Sequence, residues 1–398
     1  MRHILSAAAA LSLLACEEGP HAGPPITASA ALHPEVRYVI DTLPTFGGRL
    51  NRPSGINDDG AVAGFTTLPG DTIRHATLWL DGVAFDLHTL GGQNSNVQWP
   101  GISSSGLVAG IAETTIPDTL NEQWSCTAFF PRVTGKLCYG FIWKDGVMSP
   151  LLPLGGNQSF AAGVNGRGEV AGWAETAVID PTCNAPQVLQ FRAVVWDTRK
   201  GTNRQLKPWP GDSTSAATAI NERGQVVGIS GACDIAVGQR SARTGVLWDG
   251  DTMTQIPGLG GDFWHTPMDI NQLGQVVGFS NPAGVPGITF APHAFYWTEE
   301  GGTVDLHTLT GDATSQAVGI NIKGQIVGVS SGPAGNRAFL YEDGVMKNLN
   351  DLKASPAAFP HTLIVAQHIN DNGVIVGRAV IQGTTRQVPF VATPVKNE

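Results

Sequence analysis

Charged residues are scarce in this chain, and basic residues are the scarcer sign. Only 14% of the 398 residues are charged, and 24 lysines and arginines stand against 33 aspartates and glutamates, for a formal net charge of −9. This low content favours a rigid surface over a disordered one. Because the balance is negative and no stripe of lysine or arginine is present, we expect no nucleic-acid partner.

Common catalytic motifs are missing as well. The sequence contains no HExxH, GxxxxGK[ST] or EF-hand pattern, and no CxxC or HxxxH spacing typical of zinc sites. Turn chemistry explains Asp-containing turns such as residues 57–60 without a calcium ion. We therefore expect no metal and no cofactor, and we keep an enzyme only as an alternative.

A sustained apolar run occurs at the N-terminus. Residues 4–15 follow the positive Arg2 and are too few to span a bilayer. The run ends Leu13-Leu14-Ala15-Cys16, which resembles the lipobox of bacterial lipoproteins. That resemblance implies that residues 1–15 are a signal peptide and that Cys16 carries a diacylglycerol. The alternative is an ordinary secretory signal with a chance cysteine.

Residues 16–36 would then comprise the lipidated cysteine and a flexible tether rich in alanine, proline and glycine. We expect an exported protein of the bacterial cell envelope or cell surface, anchored to the membrane by lipid at Cys16.

Cysteine is rare, with five in the chain. If Cys16 is lipidated, Cys126, Cys138, Cys183 and Cys233 remain, an even number that fits disulfides in an oxidising compartment. A Cys126–Cys138 bond would close a short insertion on itself, and a Cys183–Cys233 bond would tie two insertions together. The other connectivities stay open at this stage.

Glycine and proline, by contrast, are frequent and evenly spread, as turn residues are in repeat folds. The phrase Ile-Asn-x-x-Gly-x-Val-Val/Ala-Gly recurs roughly every 50 residues, the length of a four-stranded propeller blade. The asparagine can bond its own backbone, and the glycine closes a hairpin loop. The asparagine-equivalent positions are Asn57, Ser103, Asn165, Asn221, Asn271, Asn321 and Asn370.

Each copy is followed by a strand that usually ends in tryptophan, often by an Asp-Gly turn, and by a fourth strand predicted to end in Leu-Gly-Gly or a related sequence. The seventh copy stops after its third strand, near Thr393. A matching strand at residues 38–43 stands alone at the other end. The sequence therefore predicts an all-β, seven-bladed β-propeller of four-stranded antiparallel blades, spanning residues 37–393, closed by the N-terminal strand and followed by a tail at 394–398.

These phrases resemble the bacterial extracellular HAF-repeat proteins, named for His-Ala-Phe. His293-Ala294-Phe295 matches fully and His75-Ala76-Thr77 in part. The resemblance covers about residues 37 to 393. It implies the propeller fold and export, but no catalytic residue.

In such a blade, the A–B and C–D turns share one face of the disc, and the B–C and D–A connections share the other. Long B–C insertions at residues 113–137, 175–190 and 230–243 hold or adjoin the cysteines, and they either stiffen the loops or build a recognition surface. We expect His75 and His293, like the repeated tryptophans, to be structural. The candidate ligand-binding residues of the D–A connections are Trp99, Trp209, Phe263, Trp264, His265, Phe359 and His361.

Packing between blades is the alternative role of these rings, and His265 could also serve as a general base. The sequence favours a non-catalytic, monomeric binding module for a glycan or protein ligand. The alternatives are a hydrolase or lyase acting on polysaccharide, and a structural partner in an envelope complex.

Overall fold

The structure, a computed structural model, describes residues 36–122, 124–234 and 240–395. The predicted signal peptide, Cys16 and most of the tether lie outside these residues. The described chain forms seven four-stranded antiparallel sheets, which confirms the seven-bladed β-propeller. In each complete blade the strands A to D follow in sequence order.

The strand bounds run as follows. Blade 1 contains β2 (Asn51–Ile56), β3 (Val62–Thr67), β4 (Arg74–Leu80) and β5 (Val83–Asp86), and blade 2 contains β6 (Gly91–Asn96), β7 (Val108–Pro117), β8 (Lys136–Lys144) and β9 (Val147–Leu151). Blade 3 contains β10 (Gly155–Val164), β11 (Glu169–Ile179), β12 (Leu189–Asp197) and β13 (Thr202–Gln205), and blade 4 contains β14 (Thr214–Ile220), β15 (Val226–Gly231), β16 (Thr244–Asp249) and β17 (Thr252–Ile256).

Blade 5 contains β18 (Thr266–Ile270), β19 (Val276–Ser280), β20 (His293–Thr298) and β21 (Gly302–His307), and blade 6 contains β22 (Thr314–Ile320), β23 (Ile326–Gly332), β24 (Gly335–Glu342) and β25 (Val345–Asn348). Blade 7 contains β26 (Thr362–Ile369), β27 (Ile375–Val380) and β28 (Gln387–Val395), completed by β1 (Arg37–Thr42). Helix α1 (Trp124–Phe129) lies in the blade 2 insertion, and a 3-10 helix (Leu349–Leu352) follows β25.

The N-terminal strand closes the ring, as predicted. β1 pairs with β28 over six residues, from Arg37 opposite Val395 to Thr42 opposite Phe390. The Tyr38 side chain is buried, and its backbone carbonyl accepts a hydrogen bond from the amide of Ala354 at 2.8 Å. The first and last described strands therefore share one sheet, which removes two exposed edges.

The turn asparagines hold neighbouring blades together as well as their own turns. Asn221 Oδ1 accepts from the amides of Arg223 and Gln225 at 3.1 and 3.0 Å, and its Nδ2 donates to the carbonyl of Asn271 in the next blade at 3.0 Å. Equivalent links between blades start from Asn57, Asn165, Asn271, Asn321 and Asn370. Blade 2 carries Ser103 here, so the link from blade 2 to blade 3 is missing from the ring.

One boundary was predicted wrongly. The Leu-Gly-Gly phrase does not end the fourth strand, because β5 ends at Asp86 and Gly91 already begins β6 of the next blade. The reason is a close approach: a β-carbon on Gly92 would stand 2.4 Å from the Cβ of Glu113. The phrase therefore marks the point where the innermost strand starts beside its partner.

The tryptophans that end strand C pack between blades. The indole of Trp196 donates to the carbonyl of Leu152, and that of Trp248 donates to Lys207, in each case across to the preceding blade. The Trp79 indole donates to Pro44, directly after β1. These bonds satisfy the one polar atom of rings that otherwise lie in the apolar core.

Disulfides join Cys126 to Cys138 and Cys183 to Cys233. The first closes the blade 2 insertion, and the second ties the insertions of blades 3 and 4. Two disulfides indicate an oxidising compartment outside the cytoplasm. Among the described residues, no helix is long and apolar enough to cross a membrane.

Candidate functional site

Two arginines lie at the same height in two adjacent blades, 1 and 7. They are near the end of the tunnel at which the D–A connections enter strand A. Arg52 on β2 pairs with Phe65. At the equivalent pair in blade 7, Val365 stands opposite Arg378 of β27. Position by position, Arg52 replaces Asn96, Phe160, Ala216, Thr266, Gln316 and Val365, and Arg378 replaces Phe65, Ile111, Trp173, Ile229, Phe279 and Val329. No other blade places an arginine at either position.

A third arginine, Arg74 at the start of β4, completes this cluster. Its guanidinium lies 4.0 Å from the centre of the Phe65 ring and donates to the backbone carbonyl of Phe129. Arg378 donates to Gln387 Oε1 at 3.0 Å. Arg52 makes no side-chain hydrogen bond to any described residue, and the Nε atoms of all three are buried without a partner there.

No carboxylate among the described residues balances these three charges. All three side chains are half-buried, and no aspartate or glutamate of the described residues forms an ion pair with them. Burial, together with the nearby Arg378 and Arg74, lowers the pKa of Arg52 to about 9. Burial and Arg378 lower the pKa of Arg74 to about 10, and burial lowers that of Arg378. The groups remain charged at neutral pH, so an anion that entered here would relieve both repulsion and desolvation.

Trp99 stands next to this cluster and bridges the tunnel. It was predicted to lie in a D–A connection, but it follows β6, strand A of blade 2, and its ring packs against Met268 and Phe279 of blade 5 and Val318 of blade 6. Pro100 and Gly101 follow it and interrupt strand A, which ends at Asn96 in this blade. The indole Nε1 is buried and has no hydrogen-bond partner among the described residues.

The blade 2 insertion covers the same end of the tunnel. Phe129, the last residue of α1, contacts Trp99 with ring centres 5.5 Å apart and Phe160 at 4.7 Å. Its carbonyl accepts from Arg74 and, at 3.2 Å, from Asn96 Nδ2. The insertion thus connects the arginine cluster to the aromatic cluster, and we name the whole site the arginine mouth: Arg52, Arg74, Arg378, Trp99 and Phe129.

Buried glutamates fasten the insertion to blade 3. Glu122 accepts from the amides of Val188 and Leu189 at 2.9 and 2.6 Å. The amide of Gln187 lies between Glu122 and Glu175, at 3.4 and 3.1 Å. Burial and the neighbouring Glu122 raise the pKa of Glu175 to about 8. Both oxygens of Glu175 and Oε1 of Glu122 accept from protein donors and hold the insertion against blade 3, whereas Oε2 of Glu122 is buried without a partner among the described residues.

The other predicted site residues are distributed around the ring and do not converge. Trp209 packs on the core between blades 3 and 4, and Phe263 is half-buried. The Trp264 indole donates to Ile288, and its ring lies 4.9 Å from that of Phe290. Phe359 is buried in the blade 7 core, with the half-buried His361 ring 5.0 Å away. Of the seven candidates, the structure brings only Trp99 into the tunnel.

His265 takes the place of a serine that other blades use to join a blade to the one before it. Ser215 Oγ accepts from the amide of Ala193 and donates to the carbonyl of Leu206. His265 is buried with Nε2 2.8 Å from the carbonyl of Ile256, and it fits because the neighbouring strand carries Gly245. Burial lowers its pKa to about 4. A neutral, enclosed imidazole in this position joins blades.

Two further cavities lack the features of the arginine mouth. Residues from all seven blades line a tunnel cavity of about 220 Å³ at the A–B end, where His368 Nε2 lies 3.6 Å from Asp269 Oδ2. A cavity of about 820 Å³ lies between the outer strands of blades 2 and 3. Its Trp196 and Arg199 already donate to backbone carbonyls.

Sequence reasoning missed the arginines of the mouth. The available signal was an arginine at repeat positions that are mostly apolar or amide-bearing elsewhere, and it becomes visible only when the copies are aligned strand by strand. Charge totals hid it, because the chain is acidic as a whole.

Comparison with solved structures finds distant propellers. Virginiamycin B lyase from Staphylococcus aureus has a TM-score of 0.49 and 11% identity, over 90% of this chain and 100% of that one. Acylaminoacyl peptidase from Pyrococcus horikoshii gives 0.47 and 10%, over 92% of this chain and 53% of that one, so the chain spans about half of the peptidase. The PQQ-bound aldose sugar dehydrogenase from Streptomyces coelicolor gives 0.33 and 10%, over 89% and 98%. No protein-family model and no curated protein matches the sequence. At these values the likenesses transfer no activity and no site residue.

Proposed function

We propose that this protein is an exported, lipid-anchored, non-catalytic binding module that holds an acidic glycan at the arginine mouth. The observation that carries the proposal is the group of three half-buried arginines, which has no carboxylate partner among the described residues. Guanidinium groups match the planar carboxylate of a uronic acid through paired hydrogen bonds. A cluster of like charges in a partly desolvated site is costly, and it is explained most simply by a ligand of opposite charge.

The surroundings favour a sugar over a simple anion. Trp99 offers an aromatic surface and an indole N–H that has no partner in the described part of the chain. Asn96 and Gln98, joined to each other at 3.0 Å, place amide groups beside it. Aromatic rings next to hydroxyl-binding amides are typical of carbohydrate sites.

The enzyme alternative has less support. The Asp269–His368 pair stands two residues before the turn asparagines, whereas Arg52 stands five before. Three residues of strand span about 10 Å, so this pair lies at another depth of the tunnel. Both oxygens of the buried Glu175 and one oxygen of Glu122 accept from backbone and amide donors. A structural envelope partner would cover the same face without needing a sugar.

Binding is best tested by titrating oligogalacturonate into the mature chain in a calorimeter, with the methyl-esterified oligomer as the uncharged counterpart. Arg52→Gln should weaken binding of the acid at least tenfold, since it removes a charge-assisted contact. Arg386→Gln changes an exposed arginine outside the mouth and should have no effect. Equal affinity for acid and ester would contradict the proposal, and new reducing ends would favour the enzyme.

The lipid anchor has its own test. Cys16→Ser should move the protein from the membrane fraction to the soluble fraction of the envelope, because the acyl attachment site is lost. Unchanged membrane association would contradict lipidation at Cys16.

A further inference from the structure

Two side-chain clusters of the same composition lie at the rims of blades 1 and 5, away from the arginine mouth. Each contains a histidine from the start of strand C and an aspartate and a histidine from the end of strand D. The blade 1 cluster is His75, Asp86 and His88, and the blade 5 cluster is His293, Asp305 and His307.

The blade 5 cluster has the spacing of a metal site. Asp305 Oδ2 lies 2.9 Å from His293 Nδ1 and 3.3 Å from His307 Nδ1. All three potential ligand atoms lie within 4.8 Å of one another. Ligands around a tetrahedral zinc ion with bonds of about 2.0–2.1 Å stand about 3.3 Å apart, so small shifts would let one ion contact all three atoms.

The strand geometry brings these atoms together. Asp305 and His307 flank the buried Leu306, and alternate residues of a strand point to the same side. A register shift beside Ala294 sets this pair next to His293. The His307 amide donates to Asp305 Oδ1 at 2.7 Å, which fixes the carboxylate and leaves Oδ2 directed at the two imidazoles.

Blade 1 repeats the residues and the carboxylate contacts in a more open arrangement, whose three ligand atoms do not all lie within 4.8 Å of one another. Asp86 Oδ2 lies 2.7 Å from His75 Nδ1 and 3.8 Å from His88 Nδ1, and the His88 amide donates to Asp86 Oδ1 at 2.8 Å. His75 and His88 line a cavity of about 270 Å³.

We propose that each cluster binds one divalent transition-metal ion through two imidazole nitrogens and one carboxylate oxygen. This ligand set suits zinc and its neighbours. His88 and His307 are 80% and 76% exposed, so the ion would keep an open coordination position facing solvent. The proposal is independent of the glycan site, and it gives the HAF-type histidines a role beyond the structural one predicted from the sequence.

Among the described residues, the His–Asp–His trio occurs in only two of the seven blades. This favours a specific binding site, because a trio that the blade needed in order to fold would occur in every blade. Blade 3 carries Arg192 and Gln205 where blade 5 carries His293 and Asp305, and its strands pair in the same way. A propeller blade therefore forms without this trio.

The test is calorimetric titration of zinc chloride into the mature chain without a polyhistidine tag. We expect two ions per chain. His88→Ala and His307→Ala should each remove one ion or weaken it at least tenfold, and the double variant should lose both. Asp305→Asn keeps the side-chain shape and should weaken the blade 5 ion alone. His361→Ala, outside both clusters, is the control.

His88 and His307 are exposed, so we expect their alanine variants to fold with little change in stability. Thermal unfolding without metal checks this. Absence of zinc uptake by the wild-type chain would overturn the proposal and leave each cluster as a hydrogen-bonded His–Asp–His group. Uptake of two ions that survives in the double variant would also overturn it.

Discussion

At the scale of single residues, a substitution of Arg52 distinguishes a structural role of this side chain from a binding role. A structural arginine stabilises the protein, whereas Arg52 is half-buried, lacks side-chain hydrogen bonds among the described residues and is repelled by two other arginines. Arg52→Gln should therefore raise the unfolding free energy of the ligand-free protein by about 1 kcal/mol while it weakens binding. Denaturant unfolding without ligand measures this, and Arg386→Gln is again the matched control. A clear loss of stability would identify Arg52 as structural.

His265 gives a pH-dependent prediction. Its pKa is about 4 in the folded protein and about 6.5 in an unfolded chain, so the unfolded state binds the extra proton first as the pH falls. Stability should fall between pH 6.5 and pH 4, by about 3 kcal/mol in total from this residue. Unfolding of the wild type and of His265→Ser across that range measures the difference, because serine occupies this position in other blades. Parallel pH curves for the two proteins would contradict the assignment.

At this scale, the role of a residue could be predicted from the sequence only where that residue recurs in several blades. The turn asparagine and strand C tryptophan repeat, so their local roles followed from the sequence, but the bond from each asparagine to the next blade did not. Trp99 was predicted as one of the candidate ligand-binding residues of the D–A connections, but its position after β6 and its reach to Met268 and Val318 depend on contacts across the ring. A serine-to-histidine exchange at 265 appeared functional, because the compensating Gly245 lies 20 positions away on another strand.

At the scale of elements, β1 is the most consequential strand. Its Tyr38 is buried among Leu340, Leu363 and other core residues of blades 6 and 7. Tyr38→Ala should cost about 3–5 kcal/mol, the usual loss for a large buried aromatic. Val39→Ala on the exposed side of the same strand should cost far less. Thermal unfolding of both variants compares them, and similar losses would contradict closure of the ring through β1.

The strands were predictable because their period and turn signals repeat, whereas the insertions were not. Nothing in residues 113–137 indicates that Phe129 will contact Phe160 or that Glu122 will bind the amides of Val188 and Leu189. These contacts join elements distant in sequence, and each occurs once. Only the disulfide pairings within the insertions could be proposed beforehand, because four cysteines leave few options.

At the scale of the whole molecule, charge is distributed unevenly along the tunnel. Three arginines stand near the D–A end, while Asp58, Glu222 and Asp371 follow the turn asparagines at the A–B end. The composition gives a negative net charge for the whole chain, whereas the proposed binding face is positive. A fold built from near-identical blades makes such asymmetry informative, because the scaffold itself does not require it.

Ring closure provides the last prediction. Six asparagines each donate to the carbonyl of the next blade, and Ser103 leaves the remaining link open. Ser103→Asn should place an amide that donates to the carbonyl of Asn165 and stabilise the protein by about 0.5–1.5 kcal/mol, the net value of one hydrogen bond. Ser103→Asp has nearly the same shape and accepts from Leu107 as serine does, but it lacks the donor, so it should give no gain. Denaturant unfolding of both variants compares them. If aspartate stabilised the protein as much as asparagine, the gain would come from the turn alone and the ring of amides would contribute nothing at this seam.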